Sequence, residues 1–319
     1  MKVLFVDKKT GVIQWSEGLL AGFRQLGWES RLFALNRGSP LWRLQHKLRL
    51  NAAADNLARA LQETIEAWQP RLVIFFYPLQ ISPGLVQAAQ EARPQPLIVG
   101  MAGDRFGADK ASAAALFDRL FYSDSGFLDL ARDYGFPANG VFLPHAADTR
   151  AFQPGPWPRT PRLVFVANVT AERQEIVDGL ACPIDVYGRR WRPGSAQQRI
   201  HAKRIPLTET SALYAKHQAV LNVRHEHNIV QGLNQRTFEA LACGTPVLND
   251  DLADVGRCLE QGREILVWKS PEELNALCQK VLADPAFART IGTAGYARVL
   301  AEHTYLHRAR QILSELDLE

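Results

Sequence analysis

The chain has 319 residues, of which 47% are apolar and 22% charged. That composition excludes a disordered or fibrous protein, and the length suffices for two ordinary domains. A net charge of +4 suits an anionic ligand such as a phosphate, but it is too small to mark a nucleic-acid binder by itself.

Cys182, Cys243, Cys258 and Cys278 show no Cys-x-x-Cys spacing, so neither a zinc site nor a redox motif is expected, and a reduced, cytoplasmic protein is. The opening MKVLFVDKKT has too short an apolar run for a signal peptide. The longest apolar patch, around LVIFFYPLQI, falls short of the ~18 residues that span a bilayer. At most peripheral membrane contact is expected.

In chain order, KVLFVD (2–7) reads as a buried parallel strand. Residues 12–28 carry apolar positions at helical spacing and close on Gly27. SRLFAL (30–35) reads as a strand. A long helical region covers 41–68, with Leu57, Leu61, Ile65 and Trp68 on one face. RLVIFFY (71–77), PLIVGMA (96–102) and RLFYSD (119–124) read as further strands, separated by PGLVQAAQEA and ASAAALFD. This alternation predicts a doubly wound parallel sheet.

PGPWPRTP (154–161) holds four prolines in eight residues, which helices and central strands do not tolerate, so it reads as a linker. The division is therefore 1–150 and 151–319. The second part alternates again. Strands are expected at 162–169, 184–188, 219–223, 245–250 and 264–268, and helices at 235–242 and from Pro271 onward, after Ser270.

Ligands of such sheets sit beyond the carboxyl ends of the strands, which selects the loops at 8–11, 78–82, 103–109, 168–173, 188–192 and 224–236. In the last of these, Asn234 can cap the helix that starts at Gln235, and Gly244 can close it. The helix start is suited to an anion such as a diphosphate. Glu239, just over one turn in, can accept two hydrogen bonds from a vicinal diol such as a ribose. Arg236 offers a fork to phosphate. A solvated helix face accounts for both residues equally well on chemistry alone.

FEALACGTPVLND resembles the helix–strand signature of GT-B-fold glycosyltransferases. FVANVTAERQEIV, DVYGRRW, AVLNV, GLNQRTFEALACG, GREILVW and EHTYLHRARQIL resemble, in the same order, the spore-maturation-protein CgeB-like branch of that group. LPHAADTRAFQP resembles its interdomain connector, and the N-terminal half matches only as a generic Rossmann domain. The resemblance implies an α/β protein of GT-B fold, with two Rossmann-like doubly wound domains facing a central cleft. Residues 1–150 would be the acceptor side and 151–319 the donor side, with the tail helix able to cross back to the first domain.

It further implies a nucleotide-sugar donor, with UDP the commonest choice. Glu239 would hold the ribose and Arg173 would reach the diphosphate. Arg204–Ile205–Pro206 would lie by the base, and Asn234, Arg236 and Thr237 would line phosphates and sugar. The acceptor stays open among protein, glycan, lipid-linked glycan and modified nucleic acid.

The sequence departs from the retaining pattern Glu-x7-Glu by placing Gln231 where the first glutamate stands. Glutamine keeps hydrogen-bonding reach and loses charge, so it can orient sugar hydroxyls but not offset a developing cation. Retention is expected by resemblance. An inverting course would need a base, for which Asp104 in GMAGDRFG is the candidate, against the alternative of a turn-forming Asp. In RHEHN (224–228), His225 and His227 would point the same way in a strand and make a poor zinc set. Arg224 and these histidines are read as lining sugar or acceptor. GRRWRPG (188–194) reads as a solvated basic loop, or as a contact for diphosphate or an anionic acceptor.

The leading expectation is a metal-independent glycosyltransferase with no cofactor. The alternatives are a nucleotide-sugar isomerase or epimerase of the same fold, and a non-catalytic binding protein on a degenerate transferase scaffold.

Overall fold

The computed structural model describes residues 1–8, 15–35, 51–203 and 205–319. The loop at 8–11 beyond Lys8, the segment 41–50 of the expected long helix, and Arg204 lie outside the described residues. The chain divides into two compact units, Met1–Pro144 with Tyr305–Glu319, and His145–Thr304.

In the first unit six parallel strands form one sheet in the order β2-β1-β3-β4-β5-β6. They are β1 (Lys2–Asp7), β2 (Glu29–Ala34), β3 (Leu72–Phe76), β4 (Leu97–Ala102), β5 (Arg119–Tyr122) and β6 (Gly140–Phe142). The central strand LVIFF is buried at every position. That is why it reads as an unbroken apolar run rather than an alternating one: helices cover both faces. Helices α1 (Trp15–Gln25), α2 (Asn51–Trp68), α3 (Pro83–Glu91) and α4 (Gly126–Asp133) connect these strands. Neither α4 nor β6 is predicted from the sequence, because three residues and a short amphipathic turn carry too little periodicity.

The second unit is another six-stranded parallel sheet, in the order β12-β11-β10-β7-β8-β9. Its strands are β7 (Thr160–Val166), β8 (Ile184–Tyr187), β9 (Gln198–His201), β10 (His217–Asn222), β11 (Val247–Asp250) and β12 (Leu266–Trp268). Its helices are α5 (Ala171–Asp178), α6 (Leu207–Lys216), α7 (Gln235–Ala242), α8 (Pro271–Ala283) and α9 (Pro285–Glu302). The strand order reverses direction between β7 and β10, the switch point at which such sheets open a crevice. The last helix, α10 (Tyr305–Glu315), belongs to the first unit. There Gly18 and Gly22 of α1 leave room for it: a Cβ on Gly18 would lie 2.2 Å from the Tyr305 ring, and one on Gly22 2.5 Å from the Tyr305 carbonyl oxygen.

Three expectations are corrected. The proline-rich segment is not all linker, since Thr160 and Pro161 already belong to β7. The pairing register of β7 with β10 shifts at that point, between His217 and Ala219, and a strand start beside an irregularity is where proline's missing N–H is tolerated. The strand read at 162–169 ends at Val166. Strand β9 and helix α6 were not foreseen. β9 holds one buried residue in four, so it lacks the apolar run that marks the central strands.

Strand β10 is buried throughout although its sequence is HQAVLN. Each polar side chain is paired, as burial requires. His217 Nε2 lies 3.0 Å from Asp185 Oδ2, whose other oxygen takes Arg162 Nε at 2.7 Å. Gln218 donates to the Val281 carbonyl. Asn222, at the carboxyl end, faces the region considered next.

Candidate functional site at the carboxyl ends of the second sheet

Helix α5 follows β7 after a four-residue turn, and Thr170 caps it by accepting from the Arg173 N–H. The Arg173 side chain thereby points back over the crevice between β7 and β10. Its guanidinium donates to the carbonyls of Asn168 (3.0 Å), Val223 (2.7 Å) and Arg224 (3.1 Å). Only 1% of the residue is exposed. Burial, and then repulsion from Arg236, pull its pKa down to about 9. The arginine expected to reach a diphosphate therefore spends three N–H groups clamping the ends of the two switch-point strands.

Helix α7 starts beside the same crevice. Asn234 occupies its cap position, but the side chain makes no capping hydrogen bond. Its amide donates instead to Asn222 Oδ1 at 3.0 Å. That corrects the capping expectation, and the reason is a competing buried network. Asn222 Nδ2 donates to Thr237 Oγ1 (2.9 Å) and Asn249 Oδ1 (2.7 Å), and Thr237 donates to Asn249 Oδ1 (3.2 Å). Thr237 thus belongs to the network under the helix start. At the far end, Gly244 with φ +64° adopts the left-handed turn that ends a helix, as its sequence position predicts.

Arg236 donates from Nη1 to the Val166 carbonyl at 3.0 Å, while its Nε has no hydrogen-bond partner. Glu239 is 5% exposed. Its carboxyl is raised to about 7 by burial, against the lowering influence of Arg236 and Gln235. A solvated helix face is therefore the wrong description of Glu239. Gln231 anchors the preceding loop through its carbonyl, which accepts the Asp254 N–H at 3.1 Å.

The segment after β10 is a turn and not a strand, so the alternation argument for His225 and His227 does not apply. Their rings nonetheless lie 5.7 Å apart. Burial and then the Arg173 charge hold His225 below its ordinary pKa. Arg224 lies 3.7 Å from Asp250 through Nε, and its N–H donates to the same carboxylate at 3.2 Å. Burial lifts Asp250 to about 6. Glu172 is raised by burial and further by Glu226, against the pull of Arg224. Among the described residues no group of three or more His, Cys, Asp and Glu side chains is arranged to hold a metal ion.

Several members of this cluster went unread in the sequence: Glu172, Asn222, Asn249 and Asp250. One signal was available. AVLN ends a buried apolar strand on Asn222, VLND ends another on Asn249 and Asp250, and the two asparagines are register partners. Three buried polar atoms here have no partner, His225 Nδ1, Asn234 Oδ1 and Arg236 Nε, while the Glu172 and Glu226 carboxyls are hydrogen-bonded to each other. Unsatisfied groups of mixed donor and acceptor character are unusual inside a protein.

The remaining expected residues lie elsewhere. Ile205 is half-buried just before α6. Asp104 lies in the first unit, in the loop after β4, where its Oδ2 accepts from Gln80 Nε2 at 3.2 Å. All four cysteines are free and buried, and no helix among the described residues is long and apolar enough to cross a membrane.

Residues 162–314 match the family model described as glycosyl transferase-like. The chain is similar over 99% of its length to sucrose-phosphate synthase from Thermosynechococcus elongatus, with a TM-score of 0.69, 13% identity and 98% of that chain covered. HepE of Anabaena in complex with UDP-glucose gives 0.70 and 13%, with 99% of each chain covered. A glycosyltransferase from Rickettsia africae ESF-5 gives 0.70 and 10%, covering 99% of this chain and 98% of that one. No curated protein matches the chain. The fold is GT-B. The family match falls on the stretch that builds the strand-end cluster, and with the fold it marks the protein as a glycosyltransferase.

Proposed function

We propose that the protein transfers a sugar from a nucleoside diphosphate donor, UDP by preference, to a separate acceptor with retention of configuration and without a metal. It is proposed to belong to the CgeB-like branch, on the order and residues of the C-terminal motifs. The observation that carries the reading is the placement of a buried, neutral-leaning Glu239 behind a helix start that adjoins the switch-point crevice. A nucleotide ribose and its diphosphate need that pairing of a diol acceptor with N–H donors. UDP-glucose bound to HepE supports the choice of UDP.

In this reading Glu239 takes the ribose, Arg236 and the N–H groups of α7 take the phosphates, and Arg173 holds the crevice in shape. Ile205 lies by the base, and Gln231, Asn234, Arg224, His225 and His227 face the sugar. The leaving diphosphate is stabilised by Arg236 and the helix start, the office a divalent ion fills in other sites. The reaction is expected to survive EDTA; loss of turnover in chelator, restored by Mn²⁺ or Mg²⁺, would overturn that part. An inverting course would draw on Asp104 as base, and the anomeric configuration of the product by NMR decides between the two.

A thermal-shift screen over nucleoside diphosphates and their sugars tests the donor assignment. Stabilisation by the matching nucleotide should follow mass action, a few kcal/mol at ligand well above its dissociation constant. No shift with any nucleotide would sink the reading. Gln231→Ala is expected to leave UDP affinity unchanged and to lower kcat/KM for the sugar donor about 5- to 150-fold, the worth of one or two hydrogen bonds. An equal loss of UDP affinity would move Gln231 to the nucleotide subsite.

A further inference from the structure

The basic run Gly188-Arg189-Arg190-Trp191-Arg192 follows β8, the strand next to β7, and the donor reading gives it no part. Its backbone is pinned from several sides. The Gly188 N–H donates to the His201 carbonyl at 3.2 Å. Trp191 is 5% exposed and its indole N–H donates to the Ala167 carbonyl at 3.0 Å. The Arg192 N–H donates to Gln174 Oε1 at 3.1 Å. Gly188 approaches so closely that a Cβ would lie 2.0 Å from the Ala167 oxygen, so no other residue fits there.

Between these anchors Arg190 holds φ +65°, a conformation that costs a non-glycine residue energy and persists only where the surroundings impose it. The outcome is a fixed loop with Arg189, Arg190 and Arg192 all exposed. Among the described residues none of the three has a carboxylate within 4.0 Å. Three exposed guanidiniums of like charge fall within four residues of the chain, and no ion pair among the described residues offsets them.

The chemistry of the loop narrows the ligand. A membrane-docking loop places its aromatic residue outward with its cations, but Trp191 is turned in and its N–H is taken. A single-stranded nucleic acid needs exposed rings for stacking, and Tyr187 is buried and stacked on His201 at 4.2 Å. What remains is recognition of a compact, multiply charged oxyanion by guanidinium forks.

We propose that Arg189, Arg190 and Arg192 form an anion-binding platform that takes a phosphate group carried by the acceptor. This rests on reading the neighbouring crevice as the donor site. The platform is separate from the nucleotide diphosphate, which is assigned to Arg236 and the start of α7.

Inorganic tripolyphosphate serves as the probe, titrated calorimetrically with and without saturating UDP. The parent is expected to bind it in both conditions. The triple variant R189A/R190A/R192A should bind it about tenfold more weakly or worse, with UDP affinity and Tm unchanged, since Gly188 and Trp191 still hold the loop. The triple lysine variant keeps the charge and loses the forks, and it should fall between the two. Equal tripolyphosphate binding by parent and alanine variant would overturn the proposal. So would arginine-dependent sedimentation with phosphatidylglycerol–phosphatidylcholine vesicles in place of tripolyphosphate binding, since a lipid surface would then be the partner. If UDP fails to bind the parent, the donor reading falls, while the titration without UDP still decides the loop.

Discussion

Glu239→Ala is expected to lower UDP affinity by about 2–4 kcal/mol, roughly 30- to 900-fold, because two hydrogen bonds from a diol to one carboxylate are lost together. Transfer should fall with binding, and saturating donor should recover part of the rate. Calorimetry on the parent and variant checks this, and equal UDP affinity would remove the ribose role.

The same carboxyl links binding to pH. Glu239 is lifted from 4.5 to about 7 by burial, so the folded state holds its proton more tightly than the unfolded state does. That contribution to stability is complete below pH 4.5 and is lost as pH rises through about 7. The loss is on the order of 3 kcal/mol by linkage. Glu239→Gln, which cannot ionise, should therefore gain stability relative to the parent as pH rises from 5 to 8 (order of one Tm comparison at each end). UDP binding near neutral pH is expected to release a proton from Glu239, because a diol donating two hydrogen bonds favours the carboxylate. Titrations in buffers of different ionisation enthalpy would show the release in the parent and its reduction in Glu239→Gln. Identical proton counts would contradict the assignment.

Arg173→Met is expected to cost about 3–5 kcal/mol of folding stability, because it strips the charged partner from three carbonyls at once, that of Val223 buried and those of Asn168 and Arg224 part-buried. Urea denaturation measures the loss. The competing role, direct contact with a diphosphate, predicts the opposite balance: little change in stability and a large fall in UDP affinity. The variant thus separates a clamp from a ligand group. Arg173→Lys should rescue only part of the stability, since one ammonium cannot reproduce a planar fork reaching Asn168, Val223 and Arg224.

Much of this protein was legible because its signals are local. Unbroken apolar runs such as LVIFF announce strands covered on both faces. Their alternation with helical spacing gives the doubly wound class, and Gly244 marks the end of a helix by the conformation only glycine adopts cheaply. The helix carrying Arg236, Thr237 and Glu239 was legible for the same reason.

What the sequence could not decide was how those side chains spend their polar groups. Arg173 and the carbonyl of Val223 are 50 residues apart in the chain and 2.7 Å apart in space, and no periodicity reports such a pair. Asn234 has the right position to cap a helix, yet Asn222 takes its amide, because strand β10 ends directly beneath it. Glu239 had equal claims to a solvated face until burial excluded that. Local pattern fixes which face an element turns inward. Only the packed sheet, with its order reversing between β7 and β10, fixes which polar groups meet at the crevice and which are left there without partners.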